Sequence, residues 1–138
     1  MEFCIRQISD NVALSSRPFL FVFVSKDLFL IGEIGNFYHH YLLAQLRSNK
    51  LNQKKEEKKY IAPRGGLFQF VAAPHYLFEL LAWYGIALIA EHSNAFLVAI
   101  GMTSYLSGRA KAQNEWNRLK FTKLEWPTNR HNLVPFLF

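Results

Sequence analysis

His75 and Glu79 stand one helical turn apart inside a run that is otherwise apolar and aromatic, Tyr60 to Trp83, YIAPRGGLFQFVAAPHYLFELLAW. At that spacing an imidazole and a carboxylate share one face of a helix. A second set lies upstream, where Glu33, Asn36, His40 and Arg47 fall within a narrow sector at 100° per residue while Phe29, Ile31 and Leu42 lie elsewhere. A carboxylate, an amide and an imidazole aligned in an apolar segment usually face a bundle interior or a watery cavity, and mark function. The plainer reading of the stripe is a helix lying at an interface, or an amphipathic helix with one wet side. A third set, Arg109, Gln113 and Trp116, follows at i, i+4 and i+7. Metal chemistry is not indicated. The pair His39-His40 points about 100° apart on a helix, no carboxylate or cysteine recurs at zinc-ligand spacing, and His39 lies off the centre of the stripe, as a helix-flank residue. The single cysteine, Cys4, excludes an internal disulfide. There is no P-loop, no GxGxxG, no serine-triad spacing and no internal repeat.

The elements that must position these residues are read from composition first. Of the 138 residues 51% are hydrophobic and 16% aromatic, with a net charge of +6. The mean hydropathy is only +0.01, so very apolar segments alternate with very basic ones. The basic residues cluster beside apolar runs rather than among exposed aromatics, which favours the positive-inside signature of a membrane protein over a nucleic-acid surface.

Met1 to Arg17 holds mixed charges and no long apolar core, so it does not read as a signal peptide, and Pro18 to Val24 is apolar but too short to span; residues 1–27 are an N-terminal segment without an assigned role. Leu28 to Leu46 has the length of one crossing, at about 20 residues. The charged loop RSNKLNQKKEEKK, Arg47 to Lys59, then marks a cytosolic side. Pro63-Arg64-Gly65-Gly66 is a turn whose glycines allow positive φ. From Gly66 the chain stays apolar to Ala90, turns at Glu91-His92-Ser93-Asn94 and returns from Ala95 to Gly108, after which Arg109, Lys111, Arg118, Lys120 and Lys123 are again basic. The expectation is an all-α, multi-span transmembrane bundle of about three membrane helices with a C-terminal amphipathic segment. The apolar end LVPFLF, Leu133 to Phe138, must pack back on the bundle or into lipid.

Four blocks resemble a known family: GNFYHHYLLAQLR at Gly35 to Arg47, YIAPRGGLFQFVAAPHYLFELLAW at Tyr60 to Trp83, GRAKAQNEWNRLKF at Gly108 to Phe121, and WPTNRHNLVPFLF at Trp126 to Phe138. Together they are similar to the C-terminal domain of the steroid 5-alpha-reductase family, the membrane group that includes 3-oxo-5-alpha-steroid 4-dehydrogenases, trans-2-enoyl-CoA reductases and polyprenol reductases. The PHYLFE and HHYLLAQLR forms are nearest to plant members. The resemblance covers residues 28–138 and implies NADPH-dependent reduction of a carbon–carbon double bond conjugated to a carbonyl, in a steroid, enoyl-CoA or polyprenol type of lipid. It implies a multi-pass location in the endoplasmic reticulum membrane. It further implies that Asn36, His40, Arg47, Tyr60, His75, Glu79, Arg109 and Arg130 bind the cofactor, with no metal.

The departures are specific. Gln113 stands where the family has histidine, and Asn117 where it has tyrosine after the tryptophan. The family's substrate-polarising residues lie in an N-terminal half without a counterpart here, which leads to the expectation of a truncated member whose catalytic residues are unassigned. Two other readings stay open. One is a non-catalytic membrane fragment that packs against a full-length paralogue. The other is an isoprenylcysteine-type methyltransferase, since PHYLFE resembles that group's motif, although the arginine before it is missing.

Overall fold

A computed structural model describes residues 19–52 and 61–137. Three helices carry it: α1 (Phe19–Asn52), α2 (Pro74–Ala90) and α3 (Ser93–Lys120). A single 3-10 turn, Gly66–Gln69, precedes α2. Among the described residues there is no strand beyond one isolated parallel bridge, Val71 to His131. The all-α expectation is met.

α1 is longer than the sequence suggested. It runs through Ser25-Lys26-Asp27 because the Ser25 hydroxyl donates back to the carbonyls of Phe21 (2.8 Å) and Val22 (3.1 Å) instead of opening the chain to water. It also takes in the first residues of the charged segment, to Asn52. α2 starts with Pro74 in its first turn, where a missing N–H costs nothing. It ends at Glu91, whose left-handed φ of 48° lets its N–H reach the Ala87 carbonyl at 3.0 Å. Two residues on, the His92 side chain caps α3 by accepting the Asn94 N–H. The α2–α3 turn therefore falls where Glu91 to Asn94 predicted it.

Glycine sets the α1–α2 contact. A Cβ at Gly32 would stand 2.5 Å from the Ala82 nitrogen, a Cβ at Gly85 would stand 2.7 Å from the Phe29 nitrogen, and one at Gly35 would overlap the Phe78 ring. Residues advancing along α1 meet residues descending along α2, so the two helices are antiparallel with backbones in near contact. α3 packs on α2 less extensively, through a core of Leu80, Leu106, Ala110, Ala73 and Leu133.

The tail after α3 folds back beside the start of α2. The His131 N–H donates to the Phe70 carbonyl, and the Ala72 N–H to that of His131. Asn114 on α3 holds it there: Oδ1 accepts the buried Trp126 indole N–H at 2.8 Å, while Nδ2 donates to the Arg130 carbonyl at 3.0 Å and to Asn132 Oδ1 at 2.9 Å. Leu133 is buried, as an apolar tail requires, but Phe136 is 83% exposed and Leu137 also faces out.

The expectation of membrane spans needs correction on length. Among the described residues no helix is long and apolar enough to cross a membrane. With 17 residues and a rise of about 1.5 Å each, α2 reaches roughly 25 Å, against roughly 30 Å of hydrocarbon. α1 is long but carries Lys26, Asp27, Glu33 and Arg47, and α3 turns basic at Arg109. The helices nonetheless expose Ile34, Phe37, Leu97, Val98 and Ile100.

Two expected outcomes follow from the packing. Gly32→Ala and Gly85→Ala should each destabilise the fold by about 1–3 kcal/mol in thermal unfolding, despite alanine's better helix propensity. Gly101→Ala, where a Cβ meets nothing within 4 Å, should be neutral or stabilising. Asn114→Ala should cost about 1–3 kcal/mol, because the Trp126 indole N–H loses its acceptor; a Trp126 fluorescence unchanged in position and melting would contradict this.

Candidate functional site

The α1–α2 contact sets a register that brings four of the expected residues together. Asn36 Nδ2 donates to the His75 carbonyl at 3.2 Å. The His40 and His75 rings lie edge to face with centroids 4.9 Å apart. Glu79, one turn below His75, joins Asn36, His40 and Glu33 in lining a cleft of about 380 Å³, with Trp83 and Ile86 as its apolar wall. His75 is 9% exposed, and its Nδ1 is buried without a hydrogen-bond partner.

The adjacent histidine does something else. His39 is 3% exposed, donates Nδ1–H to the Gly35 carbonyl at 2.7 Å and accepts the Leu67 N–H on Nε2 at 3.3 Å. Its ring stacks on Phe78 at 5.1 Å. Because a carbonyl can only accept, the proton must be on Nδ1. This histidine ties the glycine turn to α1. Gly65 and Gly66 take φ of 104° and 51° there, and a Cβ on Gly66 would crowd His39 Nε2 at 2.9 Å.

Arg109 reaches the group through a tyrosine. Its Nε donates to the Tyr76 hydroxyl at 3.2 Å and Nη1 to Tyr105 at 3.4 Å, and the Tyr76 ring lies 4.2 Å from that of His75. These hydrogen bonds, Tyr76 first, raise the arginine's already high pKa. Arg47 and Arg130 do not line this cleft. Arg47 is exposed on α1 two turns beyond His40. Arg130 is 7% exposed and lies on the Trp126 ring at 3.9 Å. Its Nε and Nη1 have no partner. Burial lowers its pKa, and the like charge of Arg64 adds to that. Tyr60 lies outside the described residues.

The two departures from the family pattern meet each other, since Gln113 Nε2 donates to Asn117 Oδ1 at 3.1 Å. Asn117 is buried. Sequence reasoning left Trp83, Tyr76 and Arg118 out of the site. Trp83 was findable, four residues after Glu79 on the same face. Tyr76 matters through a contact 33 residues away in sequence, for which no local signal exists. Glu33 stood in the polar stripe without being chosen. Among the described residues no group of three or more histidine, cysteine or carboxylate residues is placed to hold a metal ion.

Sequence comparison bears on what this arrangement serves. The family profile described as 3-oxo-5-alpha-steroid 4-dehydrogenase matches residues 6–138. The Homo sapiens 3-oxo-5-alpha-steroid 4-dehydrogenase 1 is 37% identical over 111 residues, covering 80% of this chain and 40% of the relative. That from Rattus norvegicus is 36% identical over 110 residues, covering 80% and 39%. The very-long-chain enoyl-CoA reductase of Dictyostelium discoideum is 29% identical over 123 residues, covering 89% and 39%. The chain thus spans about two fifths of the length of the curated relatives it matches. With a profile match over nearly all of its residues, this chain belongs to the 3-oxo-5-alpha-steroid 4-dehydrogenase family.

Proposed function

We propose that this chain is the dinucleotide-binding part of a membrane oxidoreductase that reduces a carbon–carbon double bond conjugated to a carbonyl, with NADPH as the reductant and a hydrophobic lipid, of steroid, enoyl-CoA or polyprenol type, as the substrate. The observation that carries this is the convergence of Asn36, His40 and Glu79 on one cleft, with His75 packed behind it against His40, together with buried polar atoms left without partners on His75 and Arg130. A polar group fits the His75 nitrogen, and an anionic one the Arg130 guanidinium. Buried donors and acceptors are nearly always paired in folded proteins, and an unpaired guanidinium nitrogen is especially costly.

NADPH, when bound, supplies the hydride delivered to the β carbon of the enone, and a proton is added at the α carbon. The residues of this chain bind and orient. Asn36 and Glu79 offer an amide and a carboxylate for the carboxamide and ribose hydroxyls, with His75 and His40 as further hydrogen-bonding groups. Arginines pair bidentately with phosphate, the role for which Arg130, Arg47 and Arg109 suit. Trp83 and Ile86 keep water from the cleft wall, which strengthens each polar contact inside. The residues that polarise the substrate carbonyl are not assigned to this chain.

The membrane part of the proposal rests on the apolar side chains that α1, α2 and α3 expose, a surface unfavourable in water. A short apolar helix is accommodated by local thinning of the bilayer or by neighbouring helices. The family resemblance points to the endoplasmic reticulum. Expression should place the chain in the microsomal pellet after alkaline carbonate washing; release into the wash would remove this part.

The cofactor reading is tested by NADPH binding to the purified chain in nanodiscs, followed by thermal shift and nicotinamide fluorescence, with S-adenosylmethionine as control. Saturable binding of NADPH alone is expected, and Glu79→Gln should weaken it by about tenfold, the worth of one charge-assisted hydrogen bond. Unchanged binding would make Glu79 a structural neighbour of His75 only. A folded chain that binds no NADPH would instead be a non-catalytic fragment, packed against a full-length paralogue.

A further inference from the structure

A second cleft, also of about 380 Å³, opens between α3 and the C-terminal tail. Lys111, Glu115 and Arg118 line it from one face of α3, at i, i+4 and i+7. Arg130 and His131 line it from the tail. Three cations, Lys111, Arg118 and Arg130, therefore face one carboxylate, Glu115, which leaves two positive charges uncompensated. Lys111 and Glu115 make no hydrogen bond with each other among the described residues.

Two of the three cations are held in place rather than left to wave in solvent. Arg118 Nη2 donates to the Thr128 carbonyl at 3.0 Å and to the Arg130 carbonyl at 3.3 Å, which fixes the guanidinium against the tail. Arg130 is more than nine-tenths buried, its guanidinium carbon 3.9 Å from the centre of the Trp126 ring, with Nε and Nη1 unpaired. A buried cation lacking a counter-charge is a large cost that a bound anion relieves. Side chains ordered before binding also lose less entropy when the ligand arrives.

We propose that this cleft binds a phosphate monoester dianion, with Lys111 and Arg118 at its rim and Arg130 beneath. Two planar guanidinium groups and an ammonium suit the tetrahedral, doubly charged phosphate better than a single carboxylate. Two sources carry that chemistry: the 2′-phosphate of a phosphorylated dinucleotide, and the headgroup of an anionic lipid such as phosphatidic acid. Neither Lys111 nor Arg118 belongs to the family set of cofactor residues. The cleft shares Arg130 with the proposed dinucleotide site, while Lys111 and Arg118 are its own; where the dinucleotide reading holds, the cleft becomes its means of preferring NADPH over NADH.

The test uses the full chain in phosphatidylcholine nanodiscs, read by thermal shift and phosphorus NMR. Inorganic phosphate should raise the melting midpoint, and the effect should weaken with added salt. Lys111→Gln should reduce the affinity by about tenfold. It is the safer variant because Lys111 supports no tail carbonyl, and Arg118→Lys provides a second that keeps a donor in place. A response to 2′-AMP but not to adenosine, lost in Lys111→Gln, identifies the dinucleotide source. A response to discs containing phosphatidic acid, lost in the same variant, identifies the lipid source. If neither ligand acts, or if wild type and Lys111→Gln respond equally, the site does not exist. NADPH binding that depends on Glu79 but is indifferent to Lys111 would remove the dinucleotide as this cleft's ligand and leave the dinucleotide reading of the other cleft intact.

Discussion

The near contact of the α1 and α2 backbones is the constraint on which the rest depends. Gly32, Gly35 and Gly85 remove the side chains that would hold the helices apart, and dispersion between close-packed backbones replaces side-chain interdigitation. Small residues at helix contacts serve the same purpose in lipid, where apolar side chains gain little from meeting one another. The consequence is a fixed register. Once Gly32 lies on Ala82 and Gly35 on Phe78, Asn36 must meet the His75 backbone and His40 the His75 ring. A slip of one residue would rotate the polar stripe by about 100° and dissolve the cleft. The site is a product of the packing, not an addition to it.

The two consecutive histidines show how one helix serves both needs. His39 faces the contact and spends both ring nitrogens on backbone groups, joining α1 to the turn that launches α2. His40 faces the cleft and keeps its ring free to meet His75. The 100° between neighbours on a helix argued against a shared metal, and the same angle separates support from binding here. Without the His39 clamp, the positive-φ glycines that make the tight turn would also make it loose, since glycine has the most backbone freedom to lose.

What was legible in the sequence was local. The Pro63 to Gly66 turn, the shared face of His75 and Glu79, the break at Glu91 to Asn94 and the polar stripe on α1 are all matters of spacing within one or two helical turns, and each has its counterpart in the structure. The continuity of α1 through Ser25-Lys26-Asp27 was hidden because charged residues at a segment edge read as a boundary, whereas the Ser25 hydroxyl satisfies the helix's own carbonyls. The tail was half legible. Its apolar residues demanded cover, and Leu133 found it, but nothing in the sequence told that Phe136 would remain outside. Contacts that join distant residues, Arg109 to Tyr76 and Asn114 to Trp126, have no local pattern at all.

The distribution of unmet polarity ties the two clefts into one account. Three buried side-chain nitrogens among the described residues lack a partner: His75 Nδ1, Arg130 Nε and Arg130 Nη1. Two residues own all three, one packed against a residue of the α1–α2 cleft and one lining the cleft beside the tail. Elsewhere the described polar interior is matched with care, as with Asn114, which satisfies an indole, a carbonyl and an amide at once. A fold that pairs its buried groups so closely and leaves these three open is incomplete at those points, since each open group costs stability that a partner would restore. The tail strand pairing of His131 with Phe70 and Ala72 sets residues 70–73, which lead directly into His75, beside Arg130. The two open points are therefore joined by one short piece of hydrogen-bonded backbone.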